Sequence, residues 1–219
     1  MAVFAADGFG SGAGDLVGTA PDVGGNWTDG SNSGSPSPIY LSNNIRQEDA
    51  ATSITYVDTA APTADYSVQA VITPQAGGCA GVAGVVGRKA AGSGSGNQTC
   101  YIADYYDHLT TGSRQWRLYK YVAGAYTGLA TYTQNIGTTA TTVKLEMIGS
   151  GIRLYVNGVE RCSATDSSIT AAGYAGVMFG AASSPTTNAI YLDDFTTDYT
   201  ATVASSVLRR RRPSGLYLR

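Results

Sequence analysis

Apolar and polar side chains alternate with a step of two along much of this 219-residue chain. Over residues 65–73, Tyr66, Val68, Ala70 and Ile72 fall on one side, while Ser67, Gln69 and Thr73 fall on the other. That is the pattern of a strand buried on one face. Residues 141–148 repeat it, with Val143, Leu145 and Met147 opposite Thr142, Lys144 and Glu146. Residues 152–162 read as a hairpin, because Asn157-Gly158 in its middle tolerates the positive φ values of a type I′ turn. Further strands are expected at 53–57, 81–88, 98–106, 114–122, 126–132, 174–180 and 189–198. Clusters of Gly, Ser, Pro, Asn and Asp separate about ten to thirteen short strands, the pattern of an antiparallel β-sandwich or jelly roll. Loops are expected at 29–38 and 90–97, and one short helix around 203–210.

Composition agrees with strands and turns. Glycine occurs 28 times and tyrosine 15 times, against three methionines and three glutamates, which excludes a helical bundle. Charged residues are 14% of the chain, well below the roughly 25% of ordinary globular proteins. The polar surface therefore rests on Gly, Ser, Thr, Asn and Tyr. A single histidine excludes a His-rich metal centre, and no apolar run is long enough for a transmembrane helix. Residues 1–10 lack the basic flank and apolar stretch of a signal peptide, so the chain is expected to stay inside the cell that makes it or to leave by a route that needs no such signal. Cys79, Cys100 and Cys162 are odd in number and lack CxxC spacing, and buried free thiols are the expectation.

Charge is informative once the chain is divided. Nine cations and sixteen anions precede Arg209, a net charge of −7, whereas Arg209 to Arg212 and Arg219 make the end +5. An acidic body thus carries a basic arm. Four consecutive guanidiniums repel one another and call for solvent or an acidic partner surface. Leu216, Tyr217 and Leu218 follow as an apolar plug suited to a groove. A body of the same sign as phosphate makes nucleic acid a poor partner for this arm, and a protein partner is expected.

Five segments together resemble the concanavalin A-like lectin/glucanase superfamily, including its laminin-G-like jelly rolls. They are Asp7-Gly8-Phe9, Asn26-Trp27-Thr28, the hairpin from Leu154 to Val159, Ala172 to Val177, and Tyr191-Leu192-Asp193-Asp194-Phe195. The resemblance covers roughly residues 1 to 200 and implies two stacked antiparallel sheets with the first and last strands close together. It does not choose a function, since the superfamily includes lectins, glycosidases, adhesion modules and virion proteins.

A glycosidase needs two carboxylates about 5–10 Å apart. The laminarinase-like branch carries Glu-x-Asp-x-x-Glu on one strand, and here Glu48, Glu146 and Glu160 are isolated. Asp104, Asp107 and His108 form an acid/base-like run that reads more simply as a strand end and loop. Asp193, Asp194 and Asp198 have oxygen ligands for Ca²⁺ but not the spacing of an EF-hand loop, and no metal or other cofactor is assigned. Trp116, Tyr119, Tyr121, Tyr126 and Tyr132 lie on two adjacent strands. Alternation sets Trp116 on the face opposite Tyr119 and Tyr121, leaving Tyr119, Tyr121, Tyr126 and Tyr132 as the candidate surface for stacking on sugar, with core and cross-strand packing as the alternative.

The expected organisation is an all-β concanavalin A-like sandwich over 1–200 and a basic arm over 201–219. The first functional expectation is a non-enzymatic bacteriophage virion protein, a capsid decoration (cement) protein or tail appendage assembled in the host cytoplasm. Arg209, Arg210, Arg211, Arg212, Leu216, Tyr217 and Leu218 would dock it on a major capsid or tail protein, with homo-oligomers in the assembly. The alternative is a lectin-like module for a host or surface glycan.

Overall fold

The computed structural model describes residues 1–10, 14–31, 38–41, 43–47, 52–75, 81–107, 113–180 and 190–200. Among them lie sixteen strands. The first five are short: β1 (Ala6–Asp7), β2 (Gly14–Asp15), β3 (Trp27–Asp29), β4 (Ile39–Tyr40) and β5 (Ile45–Arg46). β6 (Ser53–Val57), β7 (Tyr66–Pro74), β8 (Gly81–Lys89), β9 (Cys100–Asp107), β10 (Arg114–Val122) and β11 (Ala125–Thr133) follow. The last are β12 (Thr141–Ile148), β13 (Gly151–Val156), β14 (Val159–Thr165), β15 (Tyr174–Gly180) and β16 (Ile190–Tyr199). No described helix is long and apolar enough to cross a membrane.

The strands form two antiparallel sheets. One has seven strands in the order β11-β10-β9-β8-β15-β6-β3. The other has nine, running β14-β13-β12-β7-β16-β5-β4-β2, with β1 also paired to β16. Asn157 and Gly158 close the β13–β14 hairpin with φ of 49° and 77°, the left-handed pair expected of the turn. The expected strands at 53–57, 114–122, 141–148 and 174–180 have those bounds, and the others shift by one to three residues. This is the jelly-roll β-sandwich that the alternation predicts.

The two sheets differ in how they are covered. β7 alternates between buried and half-buried residues throughout, as do β12 over most of its length and β13, so the outer face of the nine-stranded sheet meets water. Every residue of β8, and all but one of β9, is buried. One core fills the space between the sheets and includes Val68, Leu145, Leu154, Val85, Tyr105, Trp116 and Val177. A second apolar cluster, Ile54, Val82, Val86, Cys100, Ile102, Tyr119 and Met178, lies on the outer face of the seven-stranded sheet. Each fully buried aliphatic or aromatic side chain contributes about 1.5–3 kcal/mol relative to exposure.

The first and last strands are neighbours. Ala6 pairs with Thr196 and Asp7 with Phe195. Trp27 meets Phe195 edge-on at 5.1 Å and Phe9 at a tilt at 5.9 Å, while its indole N–H donates to Asp7 Oδ2 at 2.7 Å. Three of the segments that carry the superfamily resemblance therefore meet in one buried aromatic cluster. Burial pushes the Asp7 carboxyl up, against the hydrogen bonds from Trp27 and the Phe9 amide.

Loop 90–97 is organised around a lysine. Lys89 is fully buried, and its ammonium donates to the carbonyls of Ala90, Gly92 and Asn97 at 2.6, 2.9 and 3.1 Å. The expected helix at 203–210 and the arm at 201–219 lie outside the described residues, as do Cys79 and His108. Cys100 and Cys162 are free and buried, as expected of structural thiols.

Candidate functional site

β10 projects its odd-numbered residues outward from the sandwich, because Trp116 and Leu118 belong to the inter-sheet core and Tyr119 to the outer cluster. Tyr121 pairs with Tyr126 across the β10–β11 ladder, and Tyr119 with Gly128. The three rings of Tyr119, Tyr121 and Tyr126 therefore share a face. Their centroids are 5.8, 5.1 and 5.9 Å apart, two of the three contacts edge-on, the separations at which aromatic pairs attract. Exposure rises outward through the cluster: Tyr119 is buried, Tyr121 half-buried, and Tyr126 57% exposed. Gly128, opposite Tyr119, has no side chain to cover it, and the Tyr126 hydroxyl lies over that position.

Beside the rings lies a buried ion pair. Arg117 Nε and Nη2 donate to the two oxygens of Asp104 at 2.8 and 2.7 Å. The Tyr119 hydroxyl donates to the same carboxylate at 2.7 Å. Asp104 is fully buried, while the Arg117 side chain is 20% exposed. Burial pushes the Asp104 carboxyl up, and the bonds from Arg117 and Tyr119 pull it back only in part. The guanidinium also lies 4.5 Å from the Tyr106 ring centre and 5.4 Å from that of Tyr119, within cation–π range. Removing one partner of such a pair costs about 3–5 kcal/mol, since the other charge stays buried.

Next to the pair the sheet is pinched at two glycines. A Cβ on Gly84, the partner of Asp104, would stand 2.4 Å from the Ala103 carbonyl, and one on Gly176 would stand 2.2 Å from that of Thr55. Only glycine permits the strands so close on that side. Val86, Ile102, Cys100 and Met178 line this floor. Its apolar surroundings push the Cys100 thiol up to about 12, which removes it as a nucleophile.

Several sequence expectations change here. Tyr132 does not join the tyrosine face. It pairs with Trp116, packs on the inter-sheet core and lies under the Arg161 guanidinium at 4.8 Å. The cause is a β-bulge: Leu118 pairs with Ala130 but Tyr119 with Gly128, so Leu129 is an extra residue that reverses the alternation along β11. Asp104 and Asp107 are out of phase on β9, and Asp107 pairs with Arg114 at 3.0 Å at the strand end. Glu146 and Glu160 are joined through Arg153, and the Tyr155 hydroxyl donates to Glu146 at 3.0 Å. Among the described residues no group of three or more His, Cys, Asp or Glu side chains is set to hold a metal. Arg209 to Arg212 and Leu216 to Leu218 lie outside the described residues.

A groove of about 340 Å³ lies on the other sheet, between Tyr66, Glu146, Ile148, Asp198 and Tyr199. It offers no comparable ring cluster, and Glu146 is already bonded to Lys144, Arg153 and Tyr155. The Arg117–Asp104 pair and the glycine floor were not anticipated from sequence. Their signal was there: residues 81–88 and 98–106 run nearly continuously apolar instead of alternating, which marks a sheet covered on both faces.

No protein-family model matches the chain, and no curated protein matches its sequence. Solved structures do match its shape. The carbohydrate binding module CBM66 from Bacillus subtilis is 16% identical with a TM-score of 0.57, over 79% of this chain and 95% of that one. The carbohydrate recognition domain of Emp46p, in a potassium-bound form, is 7% identical with a TM-score of 0.58, over 78% and 88%. A glycosyl hydrolase family 16 protein from Mycobacterium smegmatis is 10% identical with a TM-score of 0.58, over 90% and 100%. The virion expectation finds no support among these neighbours. What they establish is the fold, a jelly-roll sandwich of the concanavalin A- and galectin-like kind shared by lectins, carbohydrate-binding modules and glycosyl hydrolases.

Proposed function

We propose that this protein is a non-catalytic carbohydrate-binding module that takes a glycan onto the tyrosine face of its seven-stranded sheet. The observation that carries the reading is the Tyr119–Tyr121–Tyr126 cluster, graded from buried to exposed beside the guanidinium of Arg117. A sugar ring has an apolar CH face and a hydroxylated edge. Tyrosine rings accept the first, while phenol hydroxyls and guanidinium N–H groups bond the second. The carbohydrate-binding and carbohydrate-recognition neighbours support this ligand class over a virion role.

The non-catalytic part of the reading rests on the carboxylates. A hydrolase needs one free acid and one free base or nucleophile facing the same bond. Asp104 is taken up by Arg117 and Tyr119, and Asp107 is out of phase with it. Attachment to a virion through Arg209 to Arg212 has no observation among the described residues in its favour.

The test is binding of the full chain to an immobilised panel of neutral and acidic glycans, followed by calorimetry on those retained. Tyr126→Ala is expected to weaken binding about tenfold, a loss of about 1.4 kcal/mol, with the fold unchanged by circular dichroism. Retention of no glycan at all would end the reading.

A further inference from the structure

The ligand's charge class can be read from the state of Arg117. A lone arginine beside aromatic rings ordinarily selects a carboxylate or sulfate, because its fork matches two anionic oxygens. Here that fork is occupied. Nε and Nη2 both bond Asp104, whose carboxylate is fully buried and accepts a third bond from Tyr119. Nη1 has no acceptor among the described residues, and the side chain is 20% exposed. An open N–H edge thus remains, with its charge balanced within 3 Å.

Among the described residues nothing else on this stretch of the face supplies a counter-charge. The remaining outward residues of β10 and β11 near the rings are Gln115, Tyr119, Tyr121, Tyr126, Thr131 and Thr133. On β9 they are Cys100, Ile102 and Tyr106. Lys89, the other cation on this sheet's outer side among the described residues, is fully buried under three carbonyls. Aromatic faces are electron-rich and repel an anion laid against them. The chain before Arg209, with its net charge of −7, adds the same sign at longer range.

We infer that the site selects uncharged saccharides, with Arg117 acting as a fixed hydrogen-bond donor to a sugar hydroxyl and not as an anion receptor. Asp104 and Tyr119 are positioning residues: they fix the guanidinium plane and cancel its charge. The inference rests on the glycan-binding reading above and sharpens it.

The experiment compares the full chain against neutral hexasaccharides of glucan, mannan and galactan and against acidic hexasaccharides of galacturonan and alginate, in low and high NaCl. The expected result is that the best neutral ligand binds at least about tenfold more tightly than any acidic one. Its Kd should change by less than about twofold with salt, because no net charge is paired on binding. An acidic saccharide bound as tightly as the best neutral one, or a Kd that weakens about tenfold or more with salt, overturns the inference and leaves the glycan reading standing. Binding to none of the five overturns both. Arg117→Met with Asp104→Asn removes donor and counter-charge together without stranding either. This pair is expected to lose neutral binding about tenfold or more while unfolding cooperatively, and unchanged affinity in a folded double variant also overturns the role given to Arg117.

Discussion

Tyr132 lies directly across the β10–β11 ladder from Trp116, on the core side of the sheet, whereas Tyr126, six residues earlier on the same strand, lies across from Tyr121 on the outer side. Uninterrupted alternation would have put both on one face. The extra residue Leu129 separates them, so one bulge divides the tyrosines of β11 into one packed on the core and one exposed on the outer face.

That division gives opposite phenotypes. Tyr132→Ala should lower stability by about 2 kcal/mol, since it removes a ring packed on the core, and leave glycan affinity within about twofold. Tyr126→Ala should do the reverse, because the ring is largely exposed. Urea unfolding and calorimetry on both variants check the pair, and a large stability loss for Tyr126→Ala would contradict the assignment.

Asp166 predicts an acid-sensitive contribution to stability. Its carboxylate accepts bonds from Ser168 Oγ at 2.5 Å, the Tyr101 hydroxyl at 2.6 Å and the Lys120 ammonium. Burial alone raises the carboxyl, but these bonds outweigh it and hold the group well below the usual carboxylate range. A carboxylate depressed in the folded state stabilises above its unfolded pKa, and that contribution is lost as pH falls through the folded value. Asp166→Asn should therefore cost about 1–3 kcal/mol at neutral pH, and the gap to the parent should narrow below about pH 4. Parallel urea titrations at pH 7 and pH 3 read it directly, and a gap independent of pH would refute the pairing.

Lys89 is expected to hold loop 90–97 in place. Burial pulls its ammonium down from the usual lysine range, and three backbone carbonyls together with the Tyr56 ring, 5.2 Å away, receive the charge. Lys89→Met keeps the apolar stem but strands those carbonyls, at about 1–3 kcal/mol. Proteolysis should then cut first within 90–97, and an unchanged digestion pattern would count against this role.

Thiol chemistry offers a check on the covered outer face. Burial raises Cys100 to about 12 and Cys162 to about 11, so little reactive thiolate exists near neutrality. Iodoacetamide at pH 8 should leave both unmodified in the native protein and label both in urea, read by peptide mass spectrometry. Rapid native labelling of Cys100 would mean that the floor of the proposed site is open to solvent.

Strands β7, β12 and β13 were legible in the sequence because each is covered on one side and faces water on the other, so period-two alternation is imposed locally. The Asn157-Gly158 turn was legible for an equally local reason, its demand for positive φ. Tyr119 and Tyr121 could be assigned to one face because they stand two apart within an unbroken strand. The strands β1 to β5 have two or three residues each, too few to show a period.

By itself, then, the sequence determined the all-β class, the positions of the longer strands and the shared face of Tyr119 and Tyr121, all of which follow from the chemistry of consecutive residues. Tertiary structure decided the rest. The bulge at Leu129 turned Tyr132 inward, and the β9–β10 register brought Arg117 opposite Asp104, thirteen residues away. Close approach of β8 to β9 and of β15 to β6 made the glycine floor. These features arise from hydrogen-bond registers between distant segments, and a register is selected by the sum of contacts across a whole sheet, which no local window of residues contains.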